Sequence, residues 1–345
     1  MASMKDIAEI CGVSIATVSK AMNNHSDISE ETKQHIRQVA DEIGYFPNSA
    51  ARALKTNRTY NIGVLYQDDS HVGLTHEYFA GVLESFKAEA ESKGYDITFI
   101  NHNVSDKNMS YYEHCRYRGV DGVVVACIDF ADPEVVALVN SSIPTVTIDH
   151  VFGNCSSVLS DNEKGMRDLV HYVYSLGHRK IAYIYGDSDS AVTKARVRGF
   201  MDAMKSLGLE VPDEYLMECD YRNAQIAALR TRQILRMKER PTCVLYPDDY
   251  TCLGGIGELK GQGISVPGEL SVAGFDGGFV SEIVEPSLTT IKQDTEMVGK
   301  TAAVYLINSI ERMQQQGAQS GETTVQRAVI DSILVRGKSV AKIIE

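Results

Sequence analysis

No stretch of the 345 residues approaches the roughly 20 consecutive apolar residues of a membrane span, and the opening Met1-Ala2-Ser3-Met4-Lys5-Asp6 carries no apolar signal segment. A cytoplasmic location without membrane contact is the expectation. The seven cysteines (Cys11, Cys115, Cys127, Cys155, Cys219, Cys243 and Cys252) are odd in number, scattered, and form no C-x-x-C pair. That argues against a disulfide framework or a structural zinc site and leaves them as small buried hydrophobes. Reaction signatures are missing as well: there is no G-x-G-x-x-G after a strand, no G-x-x-x-x-G-K-S/T, no G-x-S-x-G and no H-E-x-x-H. No catalysis, metal or cofactor is therefore expected.

Positive charge is in short supply, since the chain carries a formal −12. Taken alone this disfavours nucleic acid, but the charge is unevenly placed. Residues 1–60 balance seven basic groups (Lys5, Lys20, Lys33, Arg37, Arg52, Lys55, Arg58) against seven acidic ones (Asp6, Glu9, Asp27, Glu30, Glu31, Asp41, Glu42), so the deficit lies beyond residue 60. Residues 44–60 hold Arg52, Lys55 and Arg58 and no acid. An acidic body with a basic edge fixes which end can approach phosphates.

The apolar spacing in the first sixty residues predicts three short helices. Ile7, Ala8 and Cys11 form one face before Gly12-Val13 breaks the first. Ser14 opens the second, in which Val18, Ala21 and Met22 make the buried stripe and Ile15, Ala16, Ser19 and Lys20 face outward, where a recognition helix presents side chains to a major groove. Ser29 caps the third, with Glu30 and Glu31 in its first turn, and Gly44 ends it. By spacing alone this is a helix-turn-helix headpiece or a small helical bundle with no DNA role. Between Ser49 and Asn57 there is room for about two helical turns, below the roughly 12–15 residues at which isolated helices become marginal, so this segment is expected to order only when paired.

From residue 61 onward, strand-like runs at 62–66, 95–100, 122–126, 145–148, 181–184, 242–246 and 270–275 alternate with amphipathic helices. Crossover helices imply parallel, doubly wound sheets, and the number of strands implies two lobes with a cleft at their carboxyl ends.

The run MKDIAEICGVSIATVSK at 4–20 and GYFPNSAARAL at 44–54 closely resemble the headpiece and hinge of the lactose-repressor (LacI/GalR) family. The resemblance continues through VDGVVV (120–125), IPTV (143–146), Asp161-Asn162, GHRKI (177–181), VPGELSVAGFD (266–276) and PSLTT (286–290). It implies an all-α headpiece (1–47), a hinge helix and linker (48–60), and a periplasmic-binding-protein-like α/β core of two doubly wound lobes (61–161 with 292–321, and 162–291 with 322–345). The chain would cross between lobes near 161, 291 and 322. It further implies a DNA-contacting set of Ser14, Ile15, Ala16, Thr17, Ser19, Lys20, Asn48, Arg52, Leu54 and Lys55, with Leu54 wedged into a central minor-groove step. For the ligand it implies Tyr78, Phe79, Asp149, His150, Arg196, Tyr221, Asp248 and Asp276.

Carboxylates that accept hydroxyls, a guanidinium fork and aromatic faces suit a sugar. Three acids against one arginine favour a neutral one. Each residue has a plainer alternative: Asp276 capping the Gly277-Gly278 turn, Tyr221 in the core, Arg196 paired with a surface acid. The segment 67–77 departs from the family in length. His71 and His76, five apart, are poor metal spacing, so a loop that tailors ligand choice is expected there. The other histidines (25, 35, 102, 114, 171, 178) are read as surface or capping groups. The whole is expected to be a homodimeric repressor of a pseudo-palindromic DNA operator, controlled by a small effector. With 339–345 too short for a coiled-coil tail of several heptads, a dimer is expected rather than a tetramer. The alternatives are control by a protein corepressor or a phosphorylated ligand, an enzyme, or a transport component.

Overall fold

The computed structural model describes residues 2–46, 58–67, 73–104, 107–316 and 324–343. The hinge positions Asn48, Arg52, Leu54 and Lys55, and residues 68–72 with His71, lie outside the described residues. The chain divides into two compact units, Met1–Thr59 and Tyr60–Glu345.

In the first unit, helices α1 (Met4–Cys11), α2 (Ile15–Met22) and α3 (Glu30–Glu42) follow from their caps. Ser3 and Asp6 form a reciprocal capping box on α1, and Gly12, at φ 65°, ends it in the left-handed conformation that costs glycine nothing. Ser14 and Ser29 accept the backbone N–H groups of Thr17 and Thr32 to cap α2 and α3. Ile7, Ala8, Val18, Ala21, Ile36, Val39 and Ala40 make the shared core. Each contributes on the order of 1–3 kcal/mol of apolar burial, so so small a core depends on its caps.

The second unit opens with β1 (Asn61–Tyr66), α4 (Glu77–Ser92), β2 (Asp96–Ile100), the short pair β3 (Asn103–Val104) and β4 (Lys107–Asn108), α5 (Tyr111–Arg118), β5 (Gly122–Ala126), α6 (Pro133–Val139), β6 (Thr145–Ile148) and β7 (Ser156–Ser160). It continues through α7 (Asn162–Ser175), β8 (Ile181–Tyr185), α8 (Ala191–Ser206), β9 (Leu216–Glu218), α9 (Ala224–Leu235), β10 (Cys243–Leu245), α10 (Asp249–Gly261), β11 (Ser271–Ala273), α11 (Phe279–Ile283) and β12 (Thr290–Gln293). Helix α12 (Thr295–Gln316), β13 (Arg327–Ile330) and β14 (Ser332–Val335) complete it.

One sheet runs β13-β7-β6-β5-β1-β2 and the other β11-β10-β8-β9, all neighbours parallel. β12 pairs antiparallel with β14 and touches the β11 side through bridges at Ala273–Thr289 and Asp276–Lys292. Both faces of each main sheet are covered, which is why β5 and β6 are buried along their whole length. Ile62 and Val64 pack against Val82, Phe86, Val298, Ala302 and Leu306 of α4 and α12, while Leu65, Val123 and Val125 face Cys115 and Leu138 of α5 and α6. In the second lobe, Ile181 and Tyr183 meet Met166, Leu169 and Phe200 of α7 and α8, whereas Ala182 and Ile184 meet Ala227 and Cys252 of α9 and α10.

Three expectations need correction. The third crossing does not lie near 322. β13 pairs with β7 from Arg327–Ser157 to Ile330–Ser160, covering an otherwise open strand edge, so 324–330 belong to the first lobe. The chain crosses at Asp161, Asp294 and Asp331, of which Asp161 caps α7 and Asp294 accepts from the Met297 N–H. Neither His114 nor His178 is a surface group. His114 is buried with Nδ1 2.8 Å from the Asn101 carbonyl, and His178 ties Thr242 (2.8 Å) to the Ala341 carbonyl (2.9 Å), anchoring the last described residues. Five of the seven cysteines are buried and all are free, as their apolar reading expects.

Helices α7 and α8 approach closely at Gly199, where a Cβ would stand 2.3 Å from the Glu163 carbonyl oxygen. Gly199→Ala gains up to about 1 kcal/mol of helix propensity but meets backbone that cannot step aside, an overpacking cost of about 1–3 kcal/mol. Net destabilisation is expected. A urea midpoint equal to or above that of the wild type would show that the helices can separate freely.

Candidate functional site

Two surfaces carry the functional candidates. On the first unit, Val18 and Ala21 are buried and turn the opposite face of α2 outward. Ile15 is 50% exposed, an unusual position for isoleucine on a free surface, and Ala16 and Lys20 stand exposed beside it. Ser14 and Thr17 are joined by a 2.8 Å hydroxyl bond that fixes the first turn, and Ser19 is half-buried. Lys20 pairs with Asp27 at 2.5 Å, with both side chains about half exposed. Such a pair is worth at most about 1 kcal/mol, so a phosphate or base can displace it.

In the second unit the candidates collect at the carboxyl ends of strands from both lobes. Asp149 follows β6 at φ 60° and is buried. Its Oδ2 accepts from the Tyr78 hydroxyl at 2.8 Å, and its Oδ1 accepts from the Ser160 N–H at 3.4 Å. From the other lobe comes Arg196 of α8, 3% exposed. Its Nε donates to Asn162 Oδ1 (2.7 Å), one terminal nitrogen donates to the Pro247 carbonyl (2.6 Å), and the other lies 3.5 Å from Asp276 Oδ1. The guanidinium stacks 3.6 Å over the Phe275 ring. Asp276, at φ 99°, also accepts from Gln293 Nε2 at 2.7 Å. Tyr221 meets Thr193 through its hydroxyl at 2.8 Å, with the Arg196 guanidinium 5.9 Å from its ring centre.

Beside these groups is a cavity of about 350 Å³. Tyr78, Gly81 and Thr295 of the first lobe line it together with Arg222, Asp249, Tyr250, Asp276, Gly278 and Gln293 of the second. A direct bond between described residues spans the lobes there: Glu77 Oε1 accepts from the Phe279 N–H at 2.5 Å.

The plainer alternatives for Asp276 and Arg196 do not hold. The Gly278 N–H of the glycine turn donates to Asp249 Oδ2, not to Asp276, and Arg196 pairs with no surface acid. Of the eight ligand candidates, Tyr78 and Asp276 line the cavity and the other six do not; Asp149 is bonded to Tyr78, and Arg196 to Asp276. His150 stacks on Phe130 (4.3 Å between ring centres) and against Phe152; burial lowers its pKa. Phe79 packs edge-on to Tyr66, His76 and Tyr78. Asp248 caps α10: Oδ1 accepts from the Thr251 N–H and Oδ2 from the Arg222 N–H, both at 2.8 Å.

Sequence reasoning missed Asn162, Arg222, Gln293 and Glu77 as site residues and passed over Asp249. Asn162 and Gln293 lie where the chain crosses between lobes, and the rule that ligands gather at strand ends would have reached Gln293 had β12 been recognised. Arg222 also alters the charge tally that favoured a neutral ligand, because it is a second guanidinium at the cavity.

Burial dominates the electrostatics. It raises Asp149 despite the Tyr78 bond, raises Asp249 well above the usual carboxylate range with help from the Asp276 charge, and raises Asp248 to about 6. Tyr78 is held protonated, first by burial and then by Asp149. The arrangement offers fixed hydrogen-bond partners. Among the described residues there is no group of three or more histidines, cysteines or acids able to hold a metal ion, and no helix is long and apolar enough to cross a membrane.

Comparison with known proteins gives concordant matches. Residues 3–48 match the description "bacterial regulatory proteins, lacI family", and residues 170–340 match a periplasmic binding protein-like domain. An HTH-type transcriptional repressor PurR from Pectobacterium carotovorum subsp. carotovorum is 32% identical over 316 residues, covering 90% of this chain and 91% of that protein. Among solved structures, a lac repressor dimer bound to operator and the anti-inducer ONPF is similar with a TM-score of 0.80 at 24% identity, over 99% of each chain. A transcriptional regulator CelR–cellobiose complex is similar with a TM-score of 0.70 at 23% identity, over 98% of this chain and 100% of that one.

The raised Asp248 sets a pH dependence. Its carboxyl moves from the ordinary 3.8 to about 6 on folding, so between those values the folded protein keeps a proton that the unfolded chain has released. That stabilisation is complete below about pH 4 and is lost as pH rises through about 6. Asp248→Asn keeps a capping acceptor without the charge. Between about pH 4 and 6.5 its stability relative to wild type should therefore rise by on the order of 1–3 kcal/mol in urea unfolding. A difference that does not vary with pH would place the Asp248 carboxyl in an ordinary environment.

Proposed function

Because the chain belongs to the lacI family of bacterial regulatory proteins, and is thus a DNA-binding transcriptional repressor rather than an enzyme, we propose that a sugar bound between the two lobes of its core sets its hold on operator DNA. The observation that carries this reading is the cavity between the lobes, lined by Tyr78 from one and Asp276 from the other, with Asp149 bonded to Tyr78 and Arg196 to Asp276. Carboxylates fixed at 2.7–2.8 Å by neighbouring donors suit hydroxyl recognition, and the Tyr221 face suits the apolar side of a sugar ring. A volume of about 350 Å³ matches a monosaccharide-sized ligand, at the lower end of the roughly 300–1,000 Å³ of small-molecule sites.

On DNA, two copies present α2 to successive major grooves of a pseudo-palindrome. Ile15, Ala16, Ser19 and Lys20 face the bases, with the capped turn of Ser14 and Thr17 at the backbone. Two hinge segments pair at the centre, Leu54 entering the minor groove while Asn48, Arg52 and Lys55 meet sugar and phosphate. The ligand acts by preferring one angle between the lobes, and its effect is limited to that difference in affinity.

The test begins with an operator selected from random-sequence DNA by the purified protein. Leu54→Ala is expected to weaken binding of that operator by on the order of tenfold or more, the scale of one lost specific contact, while calorimetric titration with the protein's own best-binding hexose is unchanged. Operator affinity at the wild-type level would remove the hinge from the mechanism. Arg196→Met is expected to bind the operator normally and to lose the hexose response; a retained response would take Arg196 out of the ligand site.

A further inference from the structure

Two polar atoms at the interlobe cavity have no partner among the described residues. Arg222 Nε is buried without an acceptor, and Gln293 Oε1 is buried without a donor, in a residue only 4% exposed. Both residues line the same cavity of about 350 Å³. Orphaned polar atoms are uncommon in folded proteins because each forfeits its hydration, so two beside one cavity mark groups that a ligand completes.

The surroundings define what that ligand offers. Gln293 Nε2 donates to Asp276 Oδ1 at 2.7 Å, which fixes the amide, since the reverse orientation would set carbonyl against carboxylate. The atom left over is an acceptor and calls for a donor such as a hydroxyl. Arg222 is held at φ 58° by its N–H bond to Asp248, and its guanidinium lies 3.9 Å over the Tyr250 ring. Among the described residues no carboxylate forms an ion pair with it, and the neighbouring charged groups are engaged elsewhere: Asp276 with Arg196, Lys292 with Glu282, Glu77 with the Phe279 N–H, and Asp249 with Thr290 and Gly278. A planar cation with an open fork matches a carboxylate. A phosphate dianion suits it less well, because Asp248, Asp249 and Asp276 stand close by and only one guanidinium is unpaired.

We infer that Arg222 and Gln293 contact the effector, Arg222 taking a carboxylate and Gln293 Oε1 a hydroxyl, so that the effector is an acidic monosaccharide of hexuronate size. The inference rests on the reading of the cleft as a sugar site, and it replaces the neutral sugar that the count of three acids against Arg196 alone favoured. The positive φ at Arg222 fits a residue kept for function, since such strain persists where the surrounding structure enforces it.

The test is calorimetric titration of the full chain with matched sets: glucose, glucuronate and glucose 6-phosphate, and the corresponding galactose and mannose compounds. In at least one set the uronate is expected to bind about tenfold or more tightly than both its neutral and its phosphorylated counterparts, the scale of one charge-assisted contact. Arg222→Gln should erase that preference while lowering the thermal midpoint of the free protein by no more than a few degrees, the scale of the one lost stacking contact on Tyr250. A neutral or phosphorylated sugar that binds as well as its uronate would overturn the inference and leave the sugar cleft standing. The same holds if Arg222→Gln retains the preference. A midpoint lowered by more than about ten degrees, well beyond one lost stacking contact, would make Arg222 a structural residue. Silence from every compound would overturn the sugar reading itself.

Discussion

A guanidinium withdrawn from water must be met by acceptors and a compatible surface on every side, and the strand ends of the second lobe are arranged around that requirement at Arg196. Asn162 at the start of α7, the Pro247 carbonyl after β10 and Asp276 beyond β11 supply the acceptors, and Phe275 supplies a face. The three acceptors are far apart in sequence and belong to elements that a parallel sheet brings to one edge. An unpartnered buried charge costs several kcal/mol, so each of these groups holds the others in place. The position of Asp276, and through it that of Gln293, follows from where Arg196 lies.

This edge of the sheet is also where the chain passes between lobes. Asp161, Asp294 and Asp331 mark the three passages, and the first two cap the helices that follow. Capped helix starts make firm anchors on either side of a short connection, so a change in lobe angle concentrates in a few backbone torsions. The Glu77–Phe279 bond joins the lobes directly at the mouth of the cavity. A ligand that touches Tyr78 on one side and Asp276 on the other is sensitive to the separation that this bond spans, which is the condition for coupling occupancy to lobe angle.

The cavity is costly to maintain. Asp149, Arg222 and Asp276 adopt positive φ, Asp149, Asp248 and Asp249 are buried acids with raised pKa, and two polar atoms lack partners. Positive-φ residues and two unpartnered polar atoms gathered at and beside one cavity are the pattern expected of a preorganised binding site.

The three headpiece helices were legible in the sequence because their signals are local: caps at Ser3, Ser14 and Ser29, a breaking glycine at Gly12, and an apolar stripe at helical spacing. The parallel strands of the core were legible where they are buried on both faces, as in β5 and β6, since such strands read as continuous apolar runs. β12, β13 and β14 were not, because strands of four residues carry too short a pattern, whether mostly buried as β12 is or partly exposed as β13 and β14 are, and only tertiary pairing reveals that β13 completes the first lobe. Tyr78, Asp149, Arg196 and Asp276 could be named from resemblance. That Asp248 spends both oxygens on backbone, and that Arg222 and Gln293 are left with unmet hydrogen bonds at a shared cavity, depends on segments far apart in the chain, since that cavity is lined by residues from Glu77 to Thr295. Periodicity and capping are properties of neighbours along the chain and can be read from it. Which polar groups find partners is settled only when distant segments have packed.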